Sequence, residues 1–524
     1  MKKAVGFVYA WVLVAGVLPG WLEADRVDTL WMRRYAQPGY CNDEATAMAV
    51  DAAGNVYVTG SSQRVEAGLK DYATVKYSPD GVQLWAERYS GPGNSVPSAI
   101  TVDGAGNVYV TGASESTGTS WDYLTLKYNS SGVLQWSDRY NGAANGDDRA
   151  ASVCVDSSGN AAVCGYTSGV SSSHDWAIIG YSPSGAHRFV TPRSSAGGNP
   201  DEANCIIADP EGNYYVAGRL WLASKMDDAV VTRYTSTGVE QWTASYDGPL
   251  SGDGAVALCR NAAGDLFATG WSVGLSDNAD VLTMKVSAAG ALLWTARYAA
   301  PENGSDIGLR IALDGTGNVR VLGRVQTGAG GSYDIVTLGY ASDSTGQFTN
   351  RLNSGGYGQP GGLALDQDGN VLVCGSLAGD FLTLQYNGAS EAWRRIEDFA
   401  SGDAAAAVCV DDSGCVIVAG RGDFGANAWD FVTIKYDPKA GVGEEISRPQ
   451  AASRKPEPTL VRGSLRLPTA VSGQRSAVSS LLDVSGRRVL GLKPGDNDVR
   501  HIPPGAYFIV TDHEPRTSRI LITR

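Results

Sequence analysis

Six aspartates occupy equivalent places in this chain of 524 residues. Asp43, Asp148, Asp201, Asp253, Asp306 and Asp403 each stand eight residues ahead of a turn motif of the form Asp-x-x-Gly-Asn, and Ser95 and Gly358 fill the same place in the two remaining copies. Converging carboxylates lower the local potential and offer the oxygen ligands that suit calcium, so the chemistry they could do is to bind a cation or a cationic ligand. The alternative is structural. An aspartate repeated in nearly every copy is expected to hydrogen-bond loop amides and lock each copy to its neighbour, because buried polar groups must be satisfied. Elsewhere the chain offers little chemistry. His174, His187, His501 and His513 show no zinc-ligand spacing, and no nucleophile elbow, P-loop or dinucleotide fingerprint occurs. No cofactor is therefore expected beyond calcium at the six aspartates.

The elements that must position these residues follow from the turn motif. It is first seen as Asp51-Ala52-Ala53-Gly54-Asn55-Val56-Tyr57-Val58-Thr59-Gly60 and returns at Asp103, Asp156, Asp209, Asn261, Asp314, Asp366 and Asp411, at intervals of 45 to 53 residues. Self-similarity at such a period marks a repeat architecture. Within one period, Ala47 to Val50, Val56 to Thr59, Tyr72 to Tyr77 and Gln83 to Tyr89 read as four short strands, joined where Asp accepts backbone bonds and Gly supplies a positive φ. The third strand opens with aspartate in every copy, from Asp71 to Asp430, and the fourth usually carries Trp-x-x-Arg-Tyr, as in Trp85 to Tyr89. Large residues alternating with small apolar ones bury both faces of such a sheet, which makes it a propeller blade.

Counting strands settles the closure. Asp28 to Tyr35 is a fourth strand with nothing before it, and the eighth copy stops after its third strand at Tyr436, so the first strand completes the last blade and removes a sheet edge. The expectation is an all-β chain whose residues 25–438 form an eight-bladed propeller of four-stranded blades. The first strand of each blade is taken as innermost, as in other propellers, which places the six aspartates around one mouth of a central channel. The loops before the first and third strands share one face and vary in length and chemistry, whereas the other face carries stereotyped turns. A protein or glycan partner is expected on the variable face, with Arg219, Trp221, Trp271 and Tyr357 as candidate contacts. The competing reading is that such aromatic residues merely cover the blade ends.

The three motifs in order, Asp-x-x-Gly-Asn-Val-Tyr-Val-Thr-Gly, Asp-Tyr-x-Thr-x-Lys-Tyr and Gly-x-x-x-Trp-x-x-Arg-Tyr, resemble the bacterial beta-propeller repeat family usually described as seven-bladed. The resemblance covers about residues 27–437. It implies an extracellular propeller with no common enzymatic activity, and the count of eight departs from the family's usual description. The turns running from Asp80 to Trp85 and their equivalents partly resemble those of quinoprotein dehydrogenases, which implies an alternative: a propeller enzyme with an axial active site. That family's calcium ligands and catalytic aspartate match no residue here. Ser78-Pro79-Asp80-Gly81 only approximates the sialidase-type aspartate box.

Composition and the chain ends add context. A formal charge of −13 argues against nucleic acid as partner. Residues 1–24 read as a secretory signal, with Lys2 and Lys3, an apolar run from Ala4 to Leu18 and a cleavage site near Leu22-Glu23-Ala24. A membrane anchor is the other reading, but the run is shorter than the roughly 20 residues a span needs, and no later segment could cross a bilayer. Eight cysteines in an exported protein invite disulfides. Cys154, Cys259 and Cys409, however, share a slot that other copies fill with Ala, Thr or Ile, which marks a small core position. A bridge such as Cys154 to Cys164 stays open at this point.

Residues 439–459 read as a linker, and beyond it five strands are expected at Leu460 to Leu467, Ser480 to Val484, Arg488 to Leu492, Ala506 to Thr511 and Ile520 to Thr523. The charge there reverses, with 13 Lys plus Arg against 8 Asp plus Glu over residues 441–524. The runs from Leu482 to Val489 and Pro503 to Val510, with the terminal Ile520 to Arg524, resemble the C-terminal sorting domain of the type IX secretion system. This implies export across an outer membrane by residues 460–524; a small adhesive β-sandwich is the alternative. The whole chain is thus expected to be a monomeric, exported, non-enzymatic binding or structural module, secreted or held on the outer cell surface.

Overall fold

The computed structural model describes residues 27–438 except 38–40, 66–67, 170–173, 196–197, 223–226, 251, 275–277, 303, 329–330, 356 and 426–427, together with the strands between 459 and 522. The expected signal segment and nearly all of the expected linker lie outside these residues. Two compact units divide between Gly443 and Glu444. In the first, eight four-stranded antiparallel sheets follow one another in the chain, spanning residues 43–89, 95–140, 149–193, 202–246, 254–298, 307–352 and 358–397, with the last at 404–437. Asp28–Tyr35 pairs with Trp429–Asp437 and supplies the eighth blade's fourth strand. The first strands of neighbouring blades pack on one another, so they form the inner ring.

Burial follows strand order. In the first blade Val56–Gln63 and Lys70–Tyr77 are almost wholly buried, while the outer strand Gln83–Tyr89 opens to solvent at its start. The apolar cores lie between blades: Tyr57 and Tyr72 of the first blade pack with Val108, Val110, Leu124 and Leu126 of the second. The ring closes with the same packing, as Trp31, Ile417 and Phe431 of the eighth blade meet Val56, Val58 and Val75 of the first.

Turn chemistry is as the motif requires. Asp51 Oδ1 accepts the amides of Ala53 (3.0 Å) and Asn55 (2.9 Å), and Gly54 sits at φ +77°. The second glycine of the motif has a different task. Every inner strand carries a β-bulge beside it, as between Ala45 and Ala47, and a Cβ on Gly60 would lie 2.0 Å from the Glu44 carbonyl oxygen. Inner strands therefore begin earlier than the alternation suggests: the first blade's runs Asp43–Val50 and includes its aspartate.

At the outer rim each blade grips the next. Trp85 lies over Gly132, whose Cβ would approach its ring to 2.9 Å, and its Nε1 donates to Ser130 O (3.2 Å), an acceptor shared with Lys76 Nζ (3.0 Å). Trp31 and Lys435 of the eighth blade share Pro79 O in the same way, at 2.9 and 3.2 Å. No disulfide joins the eight cysteines, and Cys154 and Cys164 sit in the core between the third and fourth blades. No described helix is long and apolar enough to cross a membrane.

The second unit holds a five-stranded sheet in the order Thr459–Val461, Glu514–Ile522, Gly505–Thr511, Ser479–Leu482, Arg488–Leu492, and a pair made by Ser464–Leu467 and Gly495–Asp498. The strand expected over Leu460 to Leu467 is thus split between two sheets. Its first part runs parallel to the last strand.

Candidate functional site

The six repeated aspartates stand where each inner strand begins, and each is at most 1% exposed. Their oxygens are taken by the loop that precedes them and by the end of the second strand. Asp201 Oδ2 accepts the Ser195 amide at 2.6 Å and Oδ1 the Trp221 amide at 2.9 Å. Asp148 accepts Gly142 and Ser168, Asp253 accepts Gly248 and Val273, Asp306 accepts Ala300 and Gln326, and Asp403 accepts Phe399 and Asp423. Asp43 accepts the Gln37 amide and the Ser62 hydroxyl, both at 2.5 Å. Burial pushes the carboxyl groups of Asp43, Asp148, Asp201, Asp253 and Asp306 above the usual range, against the hydrogen bonds that favour their charged forms. Among the described residues, no three of the six bring oxygens within 4.8 Å of one another.

The strand-three aspartates meet the arginine of Trp-x-x-Arg-Tyr. Asp71 binds Arg88 (2.9 Å), Arg64 (2.7 Å) and Ser90 (2.8 Å); burial raises its carboxyl, but these donors outweigh it and hold the group below its ordinary value. Asp122 with Arg139, Asp280 with Arg297, Asp334 with Arg351 and Asp430 with Arg34 repeat the pair. In the seventh blade Ile396 stands in the arginine's place. There Asp380, Asp398 and Asp403 bring oxygens within 4.8 Å of one another, the one described group of three acids or thiols so placed. Burial, then the charges of Asp398 and Asp403, raise the Asp380 carboxyl. These three oxygens are the ones that could share a cation.

A third belt does not repeat. The residue after the strand-two glycine is Ser61, Ala113, Tyr166, Arg219, Trp271, Arg324, Ser376 or Arg421, each in register with the inner strand next to the bulge. Arg219 binds Glu202 and Asp227, both at 2.7 Å, and although burial pulls it down these carboxylates raise its pKa. Trp271 covers Gly254, whose Cβ would meet the ring at 2.4 Å. Trp221 donates its amide to Asp201. Tyr357 is 62% exposed and bridges to Tyr333. Of the four expected contacts, then, Arg219 and Trp271 belong to the belt, and Tyr357 offers a free ring.

Other members of this region escaped the sequence reading. Arg149 lies 4.4 Å over Trp121, Arg324 4.6 Å over Tyr333, and Arg421 4.1 Å over Trp429 while also pairing with Glu44. Tyr166 stacks on His174 at 4.0 Å. Aligning the copies at the position after the strand-two glycine would have exposed Tyr166, Arg324 and Arg421, since Ser or Ala fills that place in three other copies.

Residues 84–118 match the family model of the beta-propeller repeat. Among solved structures, the chain is similar to a protein of unknown function from Dyadobacter fermentans, 11% identical over 78% of this chain and 99% of that one, with a TM-score of 0.40. It is also similar to Sqt1 from Chaetomium thermophilum, 10% identical over 78% and 98% of the two chains, with a TM-score of 0.48. No curated protein matches it.

Proposed function

We propose that this chain is an exported, non-enzymatic propeller that binds a glycan or protein partner through its variable-loop face, around the non-repeating belt. The observation that carries this reading is where the variation sits. The turn face repeats Asp51-type turns in every blade, while the opposite end mixes exposed and half-buried Tyr, Trp and Arg with acceptor carboxylates. Flat rings beside fixed polar groups are what a sugar ring or a peptide needs for stacking and orientation. The repeated aspartates, on this reading, serve as blade staples and the calcium role falls away. Residues 460–524 act as the sorting module that takes the protein to the outer surface.

The test is tryptophan-fluorescence titration of the full chain with a panel of soluble neutral and acidic oligosaccharides, repeated with Tyr357→Ala. Saturable change for one sugar class, weakened at least tenfold in the variant, supports the proposal. An unaltered response in the variant would place any binding elsewhere. Deleting residues 460–524 is expected to hold the protein inside the outer membrane, and continued surface display would remove the sorting role.

A further inference from the structure

The inner ring holds one residue that breaks its own pattern. Just past each bulge the inner strand places Ala47, Ala99, Ser152, Cys205, Ala257, Arg310, Gly362 or Ala407. Seven are small. Arg310 is the exception, and we propose that it makes the central channel a binding site for a small anion, a carboxylate or a phosphate-like oxyanion.

Three observations carry the inference. Arg310 is surrounded by the strands of the ring yet open to water, as a side chain lining a channel must be. Among the described residues it has no carboxylate at ion-pair distance; its Nη1 donates to its neighbour's carbonyl, Leu309 O, at 3.0 Å. The groups that bear on it electrostatically are Cys374 and Cys205, and burial pushes both thiols up, Cys374 to about 12, so both stay neutral near pH 7 and supply no counter-charge. The same enclosure pulls the Arg310 pKa below its ordinary value, yet a guanidinium remains charged. With no fixed carboxylate to compete, its guanidinium stays free to pair with an anion from the water that reaches it.

The ring also makes room for it. Gly361 and Gly362 let the seventh blade's inner strand lean onto the eighth, so closely that a Cβ on Gly361 would lie 2.1 Å from Ala405 O. That strand packs less closely on the inner strand of the sixth blade, where Arg310 stands. The planar guanidinium fork suits two oxygens of one carboxylate or phosphate, which favours such anions over chloride.

Thermal unfolding of the full chain tests this, with sodium phosphate in one arm and disodium succinate in the other, and ionic strength held constant with sodium chloride. Wild type is expected to show a saturable rise in Tm with at least one of the two anions. Arg310→Ala restores the residue found in four other blades, so it should fold, and it is expected to lose the response. Arg310→Lys should keep a weaker response, because an ammonium lacks the fork. No saturable response to either anion in wild type, or an equal response in Arg310→Ala, would overturn the proposal.

Discussion

The two ends of the same eight blades obey different rules. At the turn end, Asp51 and its equivalents close the hairpins through the same bonds, and Trp31, Trp85 and Trp136 each grip the following blade. At the loop end, the residue after the strand-two glycine ranges from Ala113 to Trp271, and the strand-four arginine is lost to Pro192, Ser245 and Ile396. Backbone geometry explains the contrast. A turn that must reverse the chain in two residues accepts few side chains, whereas a loop that only has to reach the next strand accepts many. Repetition at one end therefore holds the ring together, and variation at the other is free to serve recognition.

The largest effect should come where the two ends meet, at the bulge. Gly60→Ala places a methyl group against the Glu44 carbonyl and is expected to cost about 3 kcal/mol or more in urea unfolding. Gly54→Ala, which only forces an alanine into positive φ, should cost about 1 kcal/mol. Equal costs would mean that the bulge relaxes and that the ring is less tightly set than its geometry implies.

Removing a blade grip should rank next. Trp136 stacks on Tyr181 at 5.3 Å, covers Gly185 and donates to Pro183 O at 3.2 Å, so Trp136→Ala should lose about 2 kcal/mol by the same measurement. A loss below about 0.5 kcal/mol would show that the rim contributes nothing and that the cores between blades suffice.

The two aspartate series should separate by their response to acid. Asp71 has its carboxyl held down by arginines, so its stabilisation is full above the unfolded value of about 3.9 and fades as pH falls through the folded value. Asp201 is pushed up by burial, so folding favours its protonated form; that contribution is full below the unfolded value and fades as pH rises through the folded one. Acidifying from pH 7 to about 2 should therefore narrow the stability gap between wild type and Asp71→Asn and widen the gap for Asp201→Asn. Parallel changes would place both aspartates in one role.

Smallest of all should be the effect of Tyr357→Ala on stability, within about 0.5 kcal/mol, because the ring is largely exposed. A stable variant that fails to bind sharpens the contrast between ends. A strongly destabilised one would make Tyr357 part of the scaffold.

How much was legible follows the same line. The turn motif could be read because Asp51, Gly54 and Asn55 act within five residues of one another, and closure by Asp28–Tyr35 could be read because strand counting needs no geometry. The six aspartates were found by alignment, but their partners lie some 20 residues away at strand-two ends, as Trp221 does from Asp201, so spacing alone left cation and staple both standing. Gly60 was visible as a repeated letter with no stated task. Its reason is a carbonyl on a neighbouring strand, fixed only when the bulge forms.

The sequence by itself determined the number of blades, the strands within them and the residues of each tight turn, since these rest on local hydrogen bonding and on a repeat that counts itself. Tertiary structure alone decided which aspartates meet arginine, amide or one another, and which inner residue stands enclosed without a counter-charge. Those outcomes depend on side chains from different blades brought together by ring closure, and no periodicity along the chain encodes the distance between them.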